Sequence, residues 1–389
     1  MKKVINKVAI FCDFFNSLGG TEYYNFMLAR SLKQRGIDVK VFIGERPKYK
    51  FWLNLLDKNN IEYFYPKKFH KDLACRKIEK EFIKKVIKVL RSWQPNVIHS
   101  HPPGKMLVSF FEAKNSFSNI PVIVTEWTTP SKNTAHWYPP ELNRYINEIS
   151  AFIATCEKSK QGIIDYHNFK GNVYLLSHLI NAASKLPEAS IDNVYSVGVI
   201  SRLSPEKGLD YLLGAWMQVV KSFPDATLHI YGHGDDEQHL RSLAKALGIY
   251  DKVVFEGIFM PITGIDEIGK KHAIFVQPSL FESIPTSIIE LMARKKAIIA
   301  TDVGGISELI NEENQTGMLV KPASTEQLFK AIIKCFSNPS LIIKFGESAY
   351  KEYLNKYDLN KTIDKLLRYY EIICREGNNE SKTTRCSKK

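Results

Sequence analysis

The run Phe281-Glu282-Ser283-Ile284-Pro285-Thr286-Ser287-Ile288-Ile289-Glu290 lies between two short apolar runs, Ile274 to Val276 and Ala297 to Ala300, and its reading decides the fold. Pro285 has a preset φ and no N–H, which suits a first helical turn, and Ile288, Ile289, Leu291 and Met292 follow as a buried face. The run therefore predicts a polar loop entering a helix over 285–295, with a strand on either side. It also sets two carboxylates eight positions apart. Glu282 falls in the loop and Glu290 inside the helix, with the free N–H groups of the first turn between them. Those N–H groups and the helix dipole attract phosphate. With a start near Ile284, Glu290 lies about 9 Å deeper along the axis. A diphosphate at the helix start would present its sugar to one carboxylate and its ribose diol to the other, and a carboxylate accepts two hydrogen bonds from a vicinal diol. Taken alone, paired glutamates on a helix are ordinarily solvated, so the surrounding pattern has to carry the reading.

Outward from this run, β-branched runs of strand length alternate with helical patterns. In the first half they are Val8 to Phe11, Val39 to Ile43, Val97 to His99, Val122 to Thr125, Phe152 to Ala154 and Val173 to Leu175. In the second half they are Val194 to Ile200, Thr227 to Tyr231, Val253 to Glu256 and the two flanking runs above, with helices near Leu209 to Phe223 and Glu237 to Leu247. This is the alternation of α/β, doubly wound parallel sheets, which bind ligands at the carboxyl ends of their strands. A weakly patterned stretch from Ile180 to Asn193 reads as the linker. The expected division is an N-terminal domain at 1–183, a second at 184–355, a C-terminal helix at 356–377 that packs back on the first domain, and a polar, disordered tail at 378–389.

At 389 residues, with 44% hydrophobic and 24% charged residues, the chain suits two domains with full cores. No stretch approaches the roughly 20 apolar residues of a membrane-spanning helix. Asp13 and Asn16 cut short the apolar run that follows the basic start, so Val8 to Phe11 reads as a buried strand rather than part of a signal peptide. Six cysteines without metal or CxxC spacing suggest a reduced cytoplasm.

The formal charge of +13 is uneven: residues 1–180 hold 28 Lys and Arg against 15 Asp and Glu, while the rest is balanced. In the densest part, Lys67 to Arg91, a helical pattern buries Ile78, Phe82, Val86, Val89 and Leu90 and turns Lys77, Lys80, Lys84, Lys85, Lys88 and Arg91 elsewhere. Such a face is either simply solvated or held against an anionic membrane surface. No reader motif or aromatic-interleaved basic stripe supports nucleic acid.

Three more constellations stand where strands hand over to helices. Leu18-Gly19-Gly20-Thr21-Glu22 lets backbone approach a ligand or simply turns. In Gly198-Val-Ile-Ser-Arg202-Leu-Ser-Pro-Glu-Lys207-Gly208, a guanidinium fork and a point charge can neutralise a departing diphosphate. Tyr231-Gly232-His-Gly234 lacks the third glycine of a dinucleotide fingerprint.

In this order, with Val253 to Gly257 added, the motifs resemble the retaining GT-B glycosyltransferases of glycosyltransferase group 1 (family 4 type). The resemblance covers nearly the whole chain and is strongest from Val197 to Leu309. It implies two Rossmann-like domains facing a central cleft, and transfer of a sugar from a UDP- or GDP-sugar to a glycan or lipid-linked acceptor with retention. The positions matching Arg202 and Lys207 would bind the donor diphosphate, Glu282 the donor sugar and Glu290 the ribose. Gly257, Ile258 and Phe259 would line the base pocket, and Ser283, Ile284, Pro285 and Thr286 would face phosphate and sugar. Gly19 and Gly20 would close over the diphosphate. No metal or other cofactor is implied, the cations and helix dipole taking its place.

Two positions depart from the pattern. Trp127 stands where many members have a histidine, which passes the sugar or acceptor contact to Glu126 or His101 or alters it, and Ser283 replaces a glycine. His99-Ser-His101 has the look of a metal pair but no third ligand nearby in sequence. The partners implied are a nucleotide-sugar, a glycan or lipid-linked acceptor and an anionic membrane surface, with a cytoplasmic, peripheral location on the inner face of the cell membrane. A nucleotide-sugar epimerase of GT-B fold and a non-catalytic nucleotide-sugar-binding subunit are the rival readings.

Overall fold

The computed structural model describes residues 5–67, 78–113, 120–183, 194–260, 262, 264–311 and 313–386, with side chains described as far as residue 376. The chain forms two units, Met1–Leu179 with Asn360–Lys389, and Ile180–Leu359.

The first unit is built from β1 (Lys7–Cys12), α1 (Gly20–Gln34), β2 (Asp38–Ile43), α2 (Phe51–Lys58), β3 (Glu62–Phe64), α3 (Lys80–Trp93), β4 (Val97–Ser100), α4 (Lys105–Ala113), β5 (Val122–Glu126), β6 (Ala151–Ala154), α5 (Glu157–Tyr166) and β7 (Asn172–Leu175). Its seven parallel strands run in the order β3-β2-β1-β4-β5-β6-β7. Chain direction across the sheet reverses between β1 and β4, which opens a crevice at their carboxyl ends. Phe11, Phe42, Ile98, Val124 and Phe152 from the strands pack with Phe110 of α4 and Val86 and Leu90 of α3.

The second unit repeats the plan with β8 (Ser196–Ile200), α6 (Leu209–Ser222), β9 (Thr227–Tyr231), α7 (Glu237–Ala246), β10 (Val253–Gly257), α8 (Gly264–Lys271), β11 (Ile274–Gln277), α9 (Thr286–Met292), β12 (Ala297–Thr301), α10 (Ile306–Leu309), β13 (Met318–Val320), α11 (Thr325–Phe336) and α12 (Pro339–Glu352). Six parallel strands run in the order β10-β9-β8-β11-β12-β13, with the reversal between β8 and β11. β8 and β12 are buried at every residue, because helices cover both faces of the sheet.

The last helix, α13 (Leu359–Cys386), returns to the first unit. Tyr370 reaches His99 at 2.5 Å, Tyr369 donates to the Leu175 carbonyl at 3.1 Å, and Arg35 pairs with Asp364 at 3.0 Å. Its backbone is helical as far as Cys386, where the composition predicts a disordered tail. Extending an existing helix adds one hydrogen bond per residue without a new nucleus, so the polar end propagates from the docked part. Of the predicted linker, 184–193 lie outside the described residues, and Ile180 bridges to Asp358.

Three local readings change. The edge strands β3 and β13 were not predicted; each has three residues of mixed burial. The basic helix α3 buries Ile83, Ile87 and Trp93 as well as Phe82, Val86 and Leu90, and leaves Val89 half-buried. Lys77 lies outside the described residues. Finally, α9 starts at Thr286, with Pro285 as its N-cap at φ −70° and ψ 123°, one residue later than the helix predicted over 285–295 and two after the Ile284 start used for the axial distance. Glu290 is thus about 6 Å along the axis from the first helical residue, nearer than expected.

Candidate functional site

The two loops beside the second unit's crevice carry the residues singled out there. From β8 comes the segment with Arg202 and Lys207, and from β11 the segment with Glu282. Lys207 Nζ lies 2.6 Å from Glu282 Oε1, and these side chains are only 17% and 10% exposed. Ser279 Oγ donates to the same oxygen at 2.9 Å, and Gln277 Nε2 reaches it at 3.3 Å and Ser279 Oγ at 2.7 Å. Thr301 Oγ1 holds the Ser279 carbonyl at 2.5 Å. Three donors therefore converge on Oε1, while Oε2 accepts no hydrogen bond among the described residues. One oxygen is anchored and the other can accept from a ligand.

Arg202 does not join Lys207 at this carboxylate. It is 67% exposed and pairs with Glu206 Oε1 at 2.6 Å. The 3-10 turn Pro205–Lys207 is fastened to the Glu282 loop through the Glu206 carbonyl, which accepts from Leu280 N at 2.8 Å. Gly208 makes this fit possible: at φ 62°, a Cβ there would meet the Pro278 carbonyl at 2.2 Å. From the other side Gly305 N donates to the Ser283 carbonyl at 2.7 Å. The glycines of Tyr231-Gly232-His-Gly234 serve the same purpose, since Cβ atoms there would strike the Ser201 and Leu203 carbonyls at 1.8 and 2.0 Å. They admit the chain's own backbone and brace the Arg202 loop.

Glu290 is buried in α9. Its neighbour Arg294 is spent on Asp266 at 2.7 Å and on the Glu290 carbonyl at 2.8 Å. Burial pushes the Glu290 carboxyl up to about 7, against the pull of Arg294. The carboxylate accepts no hydrogen bond among the described residues, which makes its charged form costly. Ser283 and Ile284 are buried ahead of the helix, while Pro285 and Thr286 form its start. Gly257 closes β10 at φ 75° and its carbonyl accepts from Gly232 N at 2.8 Å; after it Ile258 is 57% exposed and Phe259 half-buried.

In the first unit Gly19 and Gly20 sit at the start of α1, and the loop before them is held by a buried carboxylate. Glu22 Oε1 accepts from Ser17 N and Ser17 Oγ at 2.8 Å and from Asn16 N at 3.2 Å. Asp13, also buried, accepts from Lys105 N and Met106 N at the head of α4. Trp127 lies edge-on to His101, with centroids 4.4 Å apart, and stacks on His178 at 4.1 Å. His101 is fully buried, and burial pushes its imidazole well below the ordinary value. Glu126 turns instead to Thr128, whose N–H and hydroxyl donate to Oε1 at 2.8 and 2.7 Å; burial pushes its carboxyl up to about 7.

His99 spends both ring nitrogens on Tyr370 and Thr125, which removes it as a ligand partner for His101. Among the described residues no group of three His, Cys, Asp or Glu side chains is arranged to hold a metal ion.

Gln277 and Ser279 were missed in the sequence, and Glu206, Asp13 and Glu22 were noted there without the bracing contacts they make. The available signal was position: each polar side chain sits within a few residues of the carboxyl end of a buried strand or at the head of the helix that follows.

Residues 184–352 match the family Glycosyl transferases group 1, and residues 18–183 match Glycosyltransferase Family 4. An uncharacterized glycosyltransferase of Haemophilus influenzae is 26% identical over 89% of this chain and 94% of its own. The phosphatidyl-myo-inositol mannosyltransferase of Mycobacterium leprae is 22% identical over 95% and 98%. Among solved structures, Anabaena Alr3699/HepE in complex with UDP and glucose superposes with a TM-score of 0.77 at 18% identity, covering 93% of this chain and 99% of that one.

Proposed function

We propose that this chain, which is a glycosyltransferase of GT-B fold, moves a hexosyl group from a UDP- or GDP-sugar to a glycan or lipid-linked acceptor with retention of configuration, in surface polysaccharide or glycoconjugate synthesis. The observation that carries this reading is the Glu282 carboxylate, anchored through Oε1 and open at Oε2. Oε2 would accept a donor-sugar hydroxyl, and the desolvated Glu290 would accept the two ribose hydroxyls. Lys207 would turn part of its charge to the β-phosphate, with Arg202 swinging from Glu206 to join it.

The bond from C1 to the β-phosphate oxygen breaks as the acceptor oxygen bonds to C1 on the same face. The acceptor's proton passes to the departing diphosphate. Lys207 and a reoriented Arg202 would stabilise that diphosphate, so the reading requires no resident metal. The exposed cations of α3, Lys80, Lys84, Lys85, Lys88 and Arg91, support a peripheral place on an anionic membrane, and the relative named for phosphatidyl-myo-inositol fits a lipid-linked acceptor.

A panel of UDP-, GDP- and ADP-sugars tests the reading by thermal shift and by turnover with native membranes as acceptor source. One donor should stabilise the fold and turn over, and Glu282→Ala should abolish turnover while remaining folded. If no donor binds or turns over, the reading fails.

A further inference from the structure

The segment Gly44-Glu-Arg-Pro-Lys-Tyr-Lys50 joins β2 to α2 at the carboxyl end of the first unit's sheet, beside the glycine loop. It is docked there by its backbone: Gly44 N donates to the Cys12 carbonyl at 2.8 Å, Glu45 N to the Asp13 carbonyl at 2.9 Å, and Lys48 N to Asn16 Oδ1 at 2.8 Å. Behind it Trp52 Nε1 donates to the Ser17 carbonyl at 2.7 Å. The segment is thus fixed at the edge where open α/β sheets take their ligands.

The distribution of charge at this edge is one-sided. Among the described residues, the carboxylates near the segment already have partners. Asp13 is buried and holds two N–H groups of α4, Glu22 is buried and holds the Asn16 and Ser17 N–H groups, and Glu45 lies between Asn16 Nδ2 at 3.4 Å and Lys105 Nζ at 3.8 Å. The cations are left outward: Arg46, Lys48 and Lys50 are all exposed, and none pairs with a carboxylate among the described residues. Arg46 makes one hydrogen bond, to the Lys67 carbonyl at 3.0 Å. Between the lysines Tyr49 is 56% exposed, an aromatic ring of the kind that covers the apolar face of a sugar.

Three exposed cations that have no carboxylate partner among the described residues, set around an exposed ring, favour an anionic ligand over a neutral one. We propose that segment 44–50 recognises a negatively charged group, phosphate or carboxylate, on the acceptor. This rests on the glycosyltransferase reading and narrows its acceptor to an anionic glycan or a phosphate-bearing carrier. The basic face of α3 is a separate feature: that helix leaves the carboxyl edge, where Ile78 lies against Gly44, and runs toward the amino end of β4.

The test uses the full chain with excess UDP and GDP present to fill the nucleotide site. Three soluble probes are titrated: farnesyl diphosphate, trigalacturonate and neutral maltotriose. One of the two anionic probes should bind at least about tenfold more tightly than maltotriose, and should weaken as salt rises from about 0.05 to about 0.3 M. The anionic probe that wins distinguishes a phosphate from a carboxylate. Arg46→Gln/Lys48→Gln/Lys50→Gln should lose that preference with unchanged thermal unfolding, and the control Lys84→Gln/Lys88→Gln on α3 should keep it. The proposal is overturned if the anionic probes bind no tighter than maltotriose, if the triple variant binds like wild type, or if the control loses as much. Turnover of nucleotide-sugars by wild type is followed in parallel, so failure of the donor reading shows there and not in probe binding.

Discussion

Lys207 Nζ and Glu282 Oε1 lie 2.6 Å apart although 75 positions separate them in the chain. The pair is largely shielded from water, so removing one member strands the charge of the other. Lys207→Ala and Glu282→Ala should each destabilise the protein by about 2 kcal/mol in urea unfolding. The double variant should cost clearly less than the sum, with a coupling of about 1–2 kcal/mol. Strict additivity would show that the ion pair contributes nothing to the fold.

Ser279 Oγ donates to Glu282 Oε1 at 2.9 Å, so its variants test the anchoring of that carboxylate. Ser279→Ala removes one of the donors that fix Oε1, and should lower kcat about tenfold with little change in nucleotide affinity. Ser279→Thr keeps the hydroxyl and should restore most of the rate. A rise in the nucleotide dissociation constant with kcat intact would contradict this assignment.

Glu290 should leave a signature in the pH dependence of stability. Its carboxyl is raised from 4.5 to about 7 by burial, so the folded chain keeps a proton that the unfolded chain releases between those values. Its contribution is therefore fully present below about pH 4.5 and is lost as pH rises toward 7, by about 3 kcal/mol in total. Glu290→Gln should gain on wild type across that window when both are unfolded in urea at each pH. Because a bound diol favours the ionised form, donor binding should release a proton near pH 6.5, measurable by calorimetry in buffers of different ionisation enthalpy.

The glycines separate into those that make room and those that only turn. Gly232→Ala should cost about 3 kcal/mol or more, since the added Cβ would meet the Ser201 carbonyl at 1.8 Å. At Gly248, φ is also positive at 68° but nothing lies within 4 Å, so alanine should cost only about 1–2 kcal/mol. Equal losses at the two positions in urea unfolding would remove loop-to-loop clearance as the reason for glycine.

The parts of this fold that were legible in sequence are those where burial leaves a uniform mark. β8 and β12 are covered on both faces and read as mostly apolar runs without a polar alternation. β3 and β13 lie at sheet edges with three residues each, too short to show a period. Within the site, Glu282 and Lys207 were recognisable by type and position, but their pairing is a long-range event that no local pattern encodes. Gln277 and Ser279 look like ordinary loop polarity until the sheet sets them under one carboxylate oxygen. Pro285 was read correctly as marking the helix start, and only its place as cap instead of first helical residue shifted the boundary.

The return of α13 to the first unit also constrains how the chain is made. His99 sits in the fourth strand to emerge during synthesis, yet its Nδ1 partner, Tyr370, belongs to the last helix. The amino-terminal half therefore leaves the ribosome with a polar gap and an apolar seat that are filled only by a helix whose Tyr370 lies 271 positions after His99. A product that stops anywhere before residue 360 would expose that seat, which gives cellular proteases a means of telling copies that carry the helix from copies that lack it.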